Sequence, residues 1–242
     1  MKEVKAMINY IYHSGFYIKT KNHFLIFDYY KEPMRTNQIQ TLLLPEKIKK
    51  MNNVYVFSSH SHADHFNYQI LDWENDNNDI QYIFSSDIKI ENIKPNYNFI
   101  EENEEKLFKD VYVKAYGSTD IGISFVVKVD GLTIFHAGDL NWWKWKEDSL
   151  EEQNLSESSF KAHIEKLKKE KPIDIAFFPV DPRLQEFYYL GGEYFANQIQ
   201  PSLLIPMHFG DDVVITKKFA KKMEKINIKT VEINYPGQEI IY

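Results

Sequence analysis

At 242 residues the chain is long enough for one substantial core, and its 43 % hydrophobic and 26 % charged residues are those of an ordinary globular protein, not a disordered or collagen-like one. Its net charge of -6 is spread without a basic block, which argues against a protein built to bind nucleic acid or an anionic membrane surface. With no cysteine, disulfides and thiolate ligands are excluded, so any metal must sit among nitrogen and oxygen donors.

From Val4 to Tyr30, apolar and polar residues alternate around breaks at Ser14-Gly15 and Lys21-Asn22, predicting a three-stranded antiparallel meander. A short helix is expected around Glu46 to Met51, because proline is tolerated at a helix start and Pro45 precedes it. The run "NVYVFSS" is apolar throughout, as a buried strand is, and stops where a group of histidines begins. "NYQILDWEN" then reads as a helix and "IQYIFSS" as a strand. "DVYVKAY", "GISFVVKV" and "LTIFHAG" read as three more strands, the last two joined through an Asp130-Gly131 turn. A long amphipathic helix follows over Glu151 to Lys169, then the buried strand "IDIAFFPV", a helix, the strand "SLLIPMH", a helix from about Thr216 to Lys225, and two closing strands. No linker or repeat divides the chain, so a single domain over residues 1–242 is expected, with sheets packed together and helices outside. No apolar run approaches the ~18 residues of a membrane span. The start "MKEVKAMINY" lacks the apolar centre of a secretory signal, and a cytoplasmic protein is expected.

The stretch "SSHSHADHFN" places His60, His62, Asp64 and His65 on one loop directly after a buried strand, in a chain with eight histidines. Loops at the C-terminal ends of such strands are where α/β sites form. Alternate residues of an extended segment point the same way, so His60 and His62 reach one point, while a turn at Ala63 lets Asp64 and His65 face a neighbouring one. That spacing suits two cations side by side. Two further strand ends carry donors: Asp139 after Gly138 in "LTIFHAGDL", placed to bridge two cations, and His208 in "LLIPMHFGDD".

These motifs resemble the metallo-β-lactamase superfamily over nearly the whole chain. Asp28, ending "HFLIFDYY", is similar to its first motif, "HSHADH" to its signature, "HAGD" to its bridging aspartate and "IPMH" to its last histidine. "YHSGFYIKT" resembles the opening of the branch that contains ascorbate-6-phosphate lactonase. The resemblance implies an αββα sandwich of four layers with the metal centre at one edge. It also implies that His60 and His62 bind one divalent ion, that Asp64, His65 and His208 bind the other, that Asp139 bridges them, and that Asp28 orients ligands from behind. Two such cations ~3.5–4 Å apart activate a bound water for hydrolysis, and Asp64 would hold and orient it. Zinc suits imidazole ligands, and a site without sulfur also accepts manganese or iron. The pattern departs at one place. Where the family has a further histidine, before the Gly-Asp hairpin, this chain reads "KAYGSTDIGISF", leaving Ser118, Thr119 or Asp120 to stand there; Asp120 is the candidate oxygen ligand, or else the first cation is weak or absent.

Other groups have plainer explanations. His13 and His136 reach the cleft as proton donors or serve as hydrogen-bonded structural groups. "NWWKWKE" and "EFYYLGG" are core packing, or an aromatic wall on which Lys144, Lys146 and Arg183 grip a phosphate or carboxylate. A serine hydrolase is disfavoured because no G-x-S-x-G elbow is present. The expected activity is metal-dependent hydrolysis of an ester, lactone or phosphodiester in a small, anionic substrate, with a homo-oligomer left open. A metal or ligand sensor without turnover is the main rival, and a nuclease the third reading, disfavoured by the acidic balance.

Overall fold

The computed structural model describes residues 4–31 and 48–242. Pro45 and Glu46, and with them the start of the expected helix, lie outside the described residues. Contacts divide the chain into two compact units, Met1–Ile100 with Asn234–Tyr242, and Glu101–Ile233. Among the described residues, no helix is long and apolar enough to cross a membrane.

The first unit is built on a seven-stranded sheet. Its strands are β1 (Met7–Tyr12), β2 (Gly15–Lys19), β3 (Phe24–Phe27), β4 (Val54–Ser58), β5 (Ile80–Ser85), β6 (Tyr97–Ile100) and β13 (Glu239–Ile241), in the spatial order β13-β1-β2-β3-β4-β5-β6. The meander β1–β2–β3 is antiparallel, whereas β3, β4, β5 and β6 run parallel. Parallel strands are covered on both faces, and β3 and β4 are buried at every position, which is why "FLIF" and "VYVFS" show no alternation. One face packs Ile26, Val56, Ile70, Trp73, Tyr82 and Phe84 into a core. The expected helix at "YQILDWEN" is a 3-10 segment, Tyr68–Asn75, whose Asn67 side chain accepts the Gln69 N–H at 2.9 Å.

In the second unit a six-stranded sheet has the order β12-β11-β10-β9-β8-β7. The ranges are β7 (Glu105–Phe108), β8 (Val111–Gly117), β9 (Ile123–Val129), β10 (Leu132–His136), β11 (Ile175–Pro179) and β12 (Leu203–Met207). Strands β7 to β10 form an antiparallel meander, and β10, β11 and β12 run parallel. The Asp130-Gly131 turn has positive φ at both residues, +49° and +76°, as a two-residue hairpin matching strand twist requires. Helices α1 (Leu150–Leu167), α2 (Leu190–Ile199) and α3 (Val213–Glu224) cover the sheet residues; α1 starts with a capping box between Ser149 and Glu152 and buries Phe160, Ile164 and Leu167. Phe195 of α2 stacks on Phe178 of β11 at 4.7 Å. Strands β6 and β7 were not expected from sequence, and of the two closing strands only β13 is a strand, Thr230 making an isolated bridge with Leu204.

Gly15 sets the path of the first hairpin. A Cβ there would lie 3.0 Å from the Tyr12 carbonyl oxygen and 3.1 Å from that of Asp28, two backbone atoms with little freedom to move. Gly15→Ala is therefore expected to destabilise the protein by about 1–3 kcal/mol, read as a lower denaturant midpoint at unchanged m-value.

Candidate metal centre

Both sheets deliver their polar side chains from the C-terminal ends of parallel strands. In the first unit these ends are Asp28 after β3, Ser59 and His60 after β4, and Asp87 after β5, whose carboxylate accepts the Ser61 N–H at 2.8 Å and so ties the histidine loop down. Asp28 is fully buried, with a left-handed φ of +42°. Its Oδ1 accepts the Ser59 N–H at 2.8 Å, while Oδ2 accepts from the Ser59 hydroxyl and from His65 Nδ1, both at 2.7 Å.

These bonds fix the imidazole tautomers. Ser59 gives its only hydroxyl proton to Asp28, so at its 3.0 Å contact with His60 Nδ1 it must accept. His60 thus carries its proton on Nδ1, and its Nε2 faces His62 Nδ1 at 3.0 Å. His65 likewise gives its Nδ1 proton to Asp28, leaving Nε2 as a donor atom for a metal. His60 and His62 form one ligand pair. His65, Asp64 and His13 form the other group, their ligand atoms lying within 4.8 Å of one another. The hydrogen bond from His13 holds the Asp64 carboxyl well below the usual carboxylate range, against partial burial and with help from the charge of His65.

The second unit repeats the device. Asp139 follows β10, Asp181 follows β11 and His208 follows β12, one edge of three parallel strands. Gly138 and His208 are both left-handed, φ +53° and +64°. The buried Asp181 accepts from His208 Nδ1 at 3.0 Å and from the Arg183 backbone and guanidinium at 2.5–3.0 Å. Burial raises its pKa, but the bonds from His208 and Arg183 outweigh this and bring it down to about 2. His208 Nε2 then lies 3.2 Å from Asp139 Oδ1. A lone pair turned on a carboxylate oxygen at that distance is an arrangement a shared cation stabilises. The donors therefore fit a divalent metal: imidazoles and carboxylates, with His60, His65 and His208 each oriented through Nδ1 by an oxygen behind it.

The remaining candidates separate. Asp120 is exposed and its carboxylate accepts the neighbouring Ile121 N–H at 2.8 Å, so the structure does not turn it toward Asp139. Thr119 takes that place instead, its hydroxyl donating to the Asn141 carbonyl at 2.6 Å and lying 3.5 Å from that of Asp139. No imidazole stands on this loop. His136 is buried, with Nδ1 accepting the Gly138 N–H at 3.2 Å, and so shapes the turn that carries Asp139. Arg183 clasps Asp181 and lies over Trp145 at 5.7 Å. Trp145 is parallel to Trp143, which donates to the Asp139 carbonyl and meets His208 edge-on at 5.6 Å. Lys144 sits over Phe187 and Lys146 pairs with Glu186. Asp181 and Ser59 were missed in the sequence; the strand-end rule that singled out Asp139 applies equally to "FFPVDPRL".

Each unit thus carries, at the C-terminal ends of its parallel strands, imidazoles and carboxylates of the kind that hold metal in α/β hydrolases. The chain belongs to the metallo-β-lactamase superfamily, since a model described as the beta-lactamase superfamily domain matches residues 7–208. It is 24 % identical over 258 residues to a metal-dependent hydrolase of Pyrococcus abyssi, the match spanning 96 % of this chain and 98 % of that one. Among solved structures, a metallo hydrolase of the archaeon Ignicoccus hospitalis, Igni18, aligns at a TM-score of 0.67 with 15 % identity over 98 % of both chains. A diiron β-hydroxylase of Streptomyces venezuelae, CmlA, aligns at 0.65 with 9 % identity over all of this chain and 55 % of its own. The expected fold class is thereby shown, and the protein is a metal-dependent hydrolase of that superfamily.

Replacing either carboxylate behind the histidines, Asp28→Asn or Asp181→Asn, is expected to weaken metal binding ~10–100-fold in titrations of the apo protein. Asp120→Ala should bind metal as the wild type does.

Proposed function

We propose that this chain is a cytoplasmic enzyme that hydrolyses an ester, lactone or phosphodiester bond in a small anionic molecule. His60 and His62 serve one cation, Asp64, His65 and His208 the other, and Asp139 both, as the family's motifs imply. The observation that carries this reading is the common orientation of His60, His65 and His208, each with Nδ1 engaged by a neighbouring oxygen. Hydrogen-bonded imidazoles of purely structural use need no such uniformity.

When bound, cations of this kind lower the pKa of a coordinated water to ~7 and clamp the attacking and leaving oxygens. Asp64, held ionised by His13 and His65, would hold and orient that water. Trp143 and Trp145 offer flat surface beside His208, and Arg183, its side chain 63 % exposed, supplies the positive charge that favours an anionic substrate. Zinc is the ion an imidazole-rich set favours. Oxygen donors keep manganese and iron in the panel, as does the diiron neighbour that shares the fold. With no histidine in the "GSTD" loop, the family's motifs leave the His60–His62 cation fewer protein ligands, and the Asp64–His65 cation would bind first.

Protein loaded with zinc, manganese or iron should cleave at least one member of an ester, lactone and phosphodiester panel. Only the deprotonated water attacks, so the rate should rise with pH and level off above ~7. Asp64→Ala and His65→Ala should lose metal and turnover together. A silent panel, with a small ligand raising the melting temperature, would instead assign a sensor, and cleavage confined to nucleic acid would assign a nuclease.

A further inference from the structure

We propose that His13 is itself a metal ligand, so that His13, Asp64 and His65 make a three-donor cation site carried wholly by the Met1–Ile100 unit. The inference rests on the assignment of Asp64 and His65 as ligands and adds a donor that the family's motifs leave out.

Geometry carries it. His13 Nε2 lies 3.4 Å from Asp64 Oδ2. That hydrogen bond is looser than the ~2.7–2.9 Å of a well-made charge-assisted one. Two ligands each ~2.1 Å from a tetrahedral cation are about 3.4 Å apart, because the edge of a tetrahedron is about 1.6 times its centre-to-corner distance. The His13 and His65 rings meet edge to face, centroids 5.6 Å apart, and their ligand atoms stand with that of Asp64 inside 4.8 Å. His65 approaches through Nε2 because Asp28 holds its Nδ1, and His13 also presents Nε2.

The chain spends conformational freedom to put His13 there. It occupies the left-handed region at φ +57°, where a non-glycine residue costs ~1–3 kcal/mol unless its surroundings impose it. Its N–H donates to the Tyr10 hydroxyl at 2.9 Å, and Tyr10 is fully buried. Gly15 lets the same hairpin close against the backbone carbonyl of Asp28, the residue that orients His65. The His13 side chain is only 13 % exposed, so it is not a solvated turn residue. A histidine that merely capped the hairpin would require neither the buried tyrosine nor the close approach at Gly15.

The chemical consequence concerns affinity. With Asp64 and His65, His13 would give this cation three protein donors on a single unit, so it would be the more tightly held of the two.

Metal titration of the full-length apo protein with cobalt and zinc tests this without reference to turnover. His13→Asn suits the left-handed backbone and should fold with the wild-type far-UV spectrum. It should weaken the tighter equivalent at least ~10-fold and change the visible cobalt absorption of that equivalent. His13→Asp, which returns an oxygen donor, should restore much of the affinity with a shifted cobalt band. If His13→Asn and His13→Asp both bind the tighter equivalent as the wild type does, with the same cobalt spectrum, His13 is no ligand and the inference is overturned. His65→Ala separates the two levels. Loss of that equivalent in His65→Ala alone leaves the Asp64–His65 assignment standing without His13, and its retention there removes the assignment and the inference together.

Discussion

A carboxylate with no exposure to water must find its hydrogen bonds inside the protein, and Asp28 finds three of them in the histidine loop. An unpaired buried charge costs several kcal/mol. Asp28 is relieved by the Ser59 N–H, the Ser59 hydroxyl and His65 Nδ1. The parallel pairing of β3 with β4 supplies the alignment, since Phe27 stands opposite Phe57 and the Asp28 N–H continues the ladder to the Phe57 carbonyl at 2.9 Å. The same bonds that satisfy the charge decide which nitrogen of His60 and of His65 is left to bind metal. Sheet register, tautomer and ligand direction are therefore one constraint. In the other unit Asp181 does the equivalent for His208, again from the end of the adjacent parallel strand.

Rigidity follows from where the strain is placed. His13, Asp28 and His208 all adopt left-handed backbone, and each is a donor or touches one. Such residues persist only where the surroundings determine them. Here the surroundings are strands buried at every position, β3, β4, β11 and β12. The helices contribute at a distance: Phe160 and Phe195 pack against Phe178 of β11, and that strand ends two residues before Asp181.

Much of this was legible in the sequence, for identifiable reasons. Buried parallel strands are apolar runs, so "VYVFS", "IAFFP" and "LLIPM" were readable, and each ends in polar groups that solvent-facing loops do not need in such density. His60, His62, Asp64, His65, Asp139 and His208 stood out because donors at strand ends have few other uses. What escaped was what depends on three dimensions. Asp181 escaped because its partner, His208, is far along the chain. Thr119 and Asp120 are neighbours in sequence, and only the twist of the loop decides which faces Asp139. The edge strand β7 is short and exposed at alternate positions, which leaves too little apolar content to be read as a strand.

The first unit is discontinuous: β13, which lies beside β1, belongs to the last residues of the chain. During synthesis the β1–β2 hairpin, with His13 at its tip, must wait until all of Glu101–Ile233 has been made before its outer edge is paired. Met7, Ile8 and Asn9 then acquire Ile241, Ile240 and Glu239 as ladder partners. Until that moment the nascent protein carries an open β edge, the template on which unfinished chains associate. Ribosome-bound chains lacking Glu239–Ile241 should therefore be the form of this protein that most needs a chaperone.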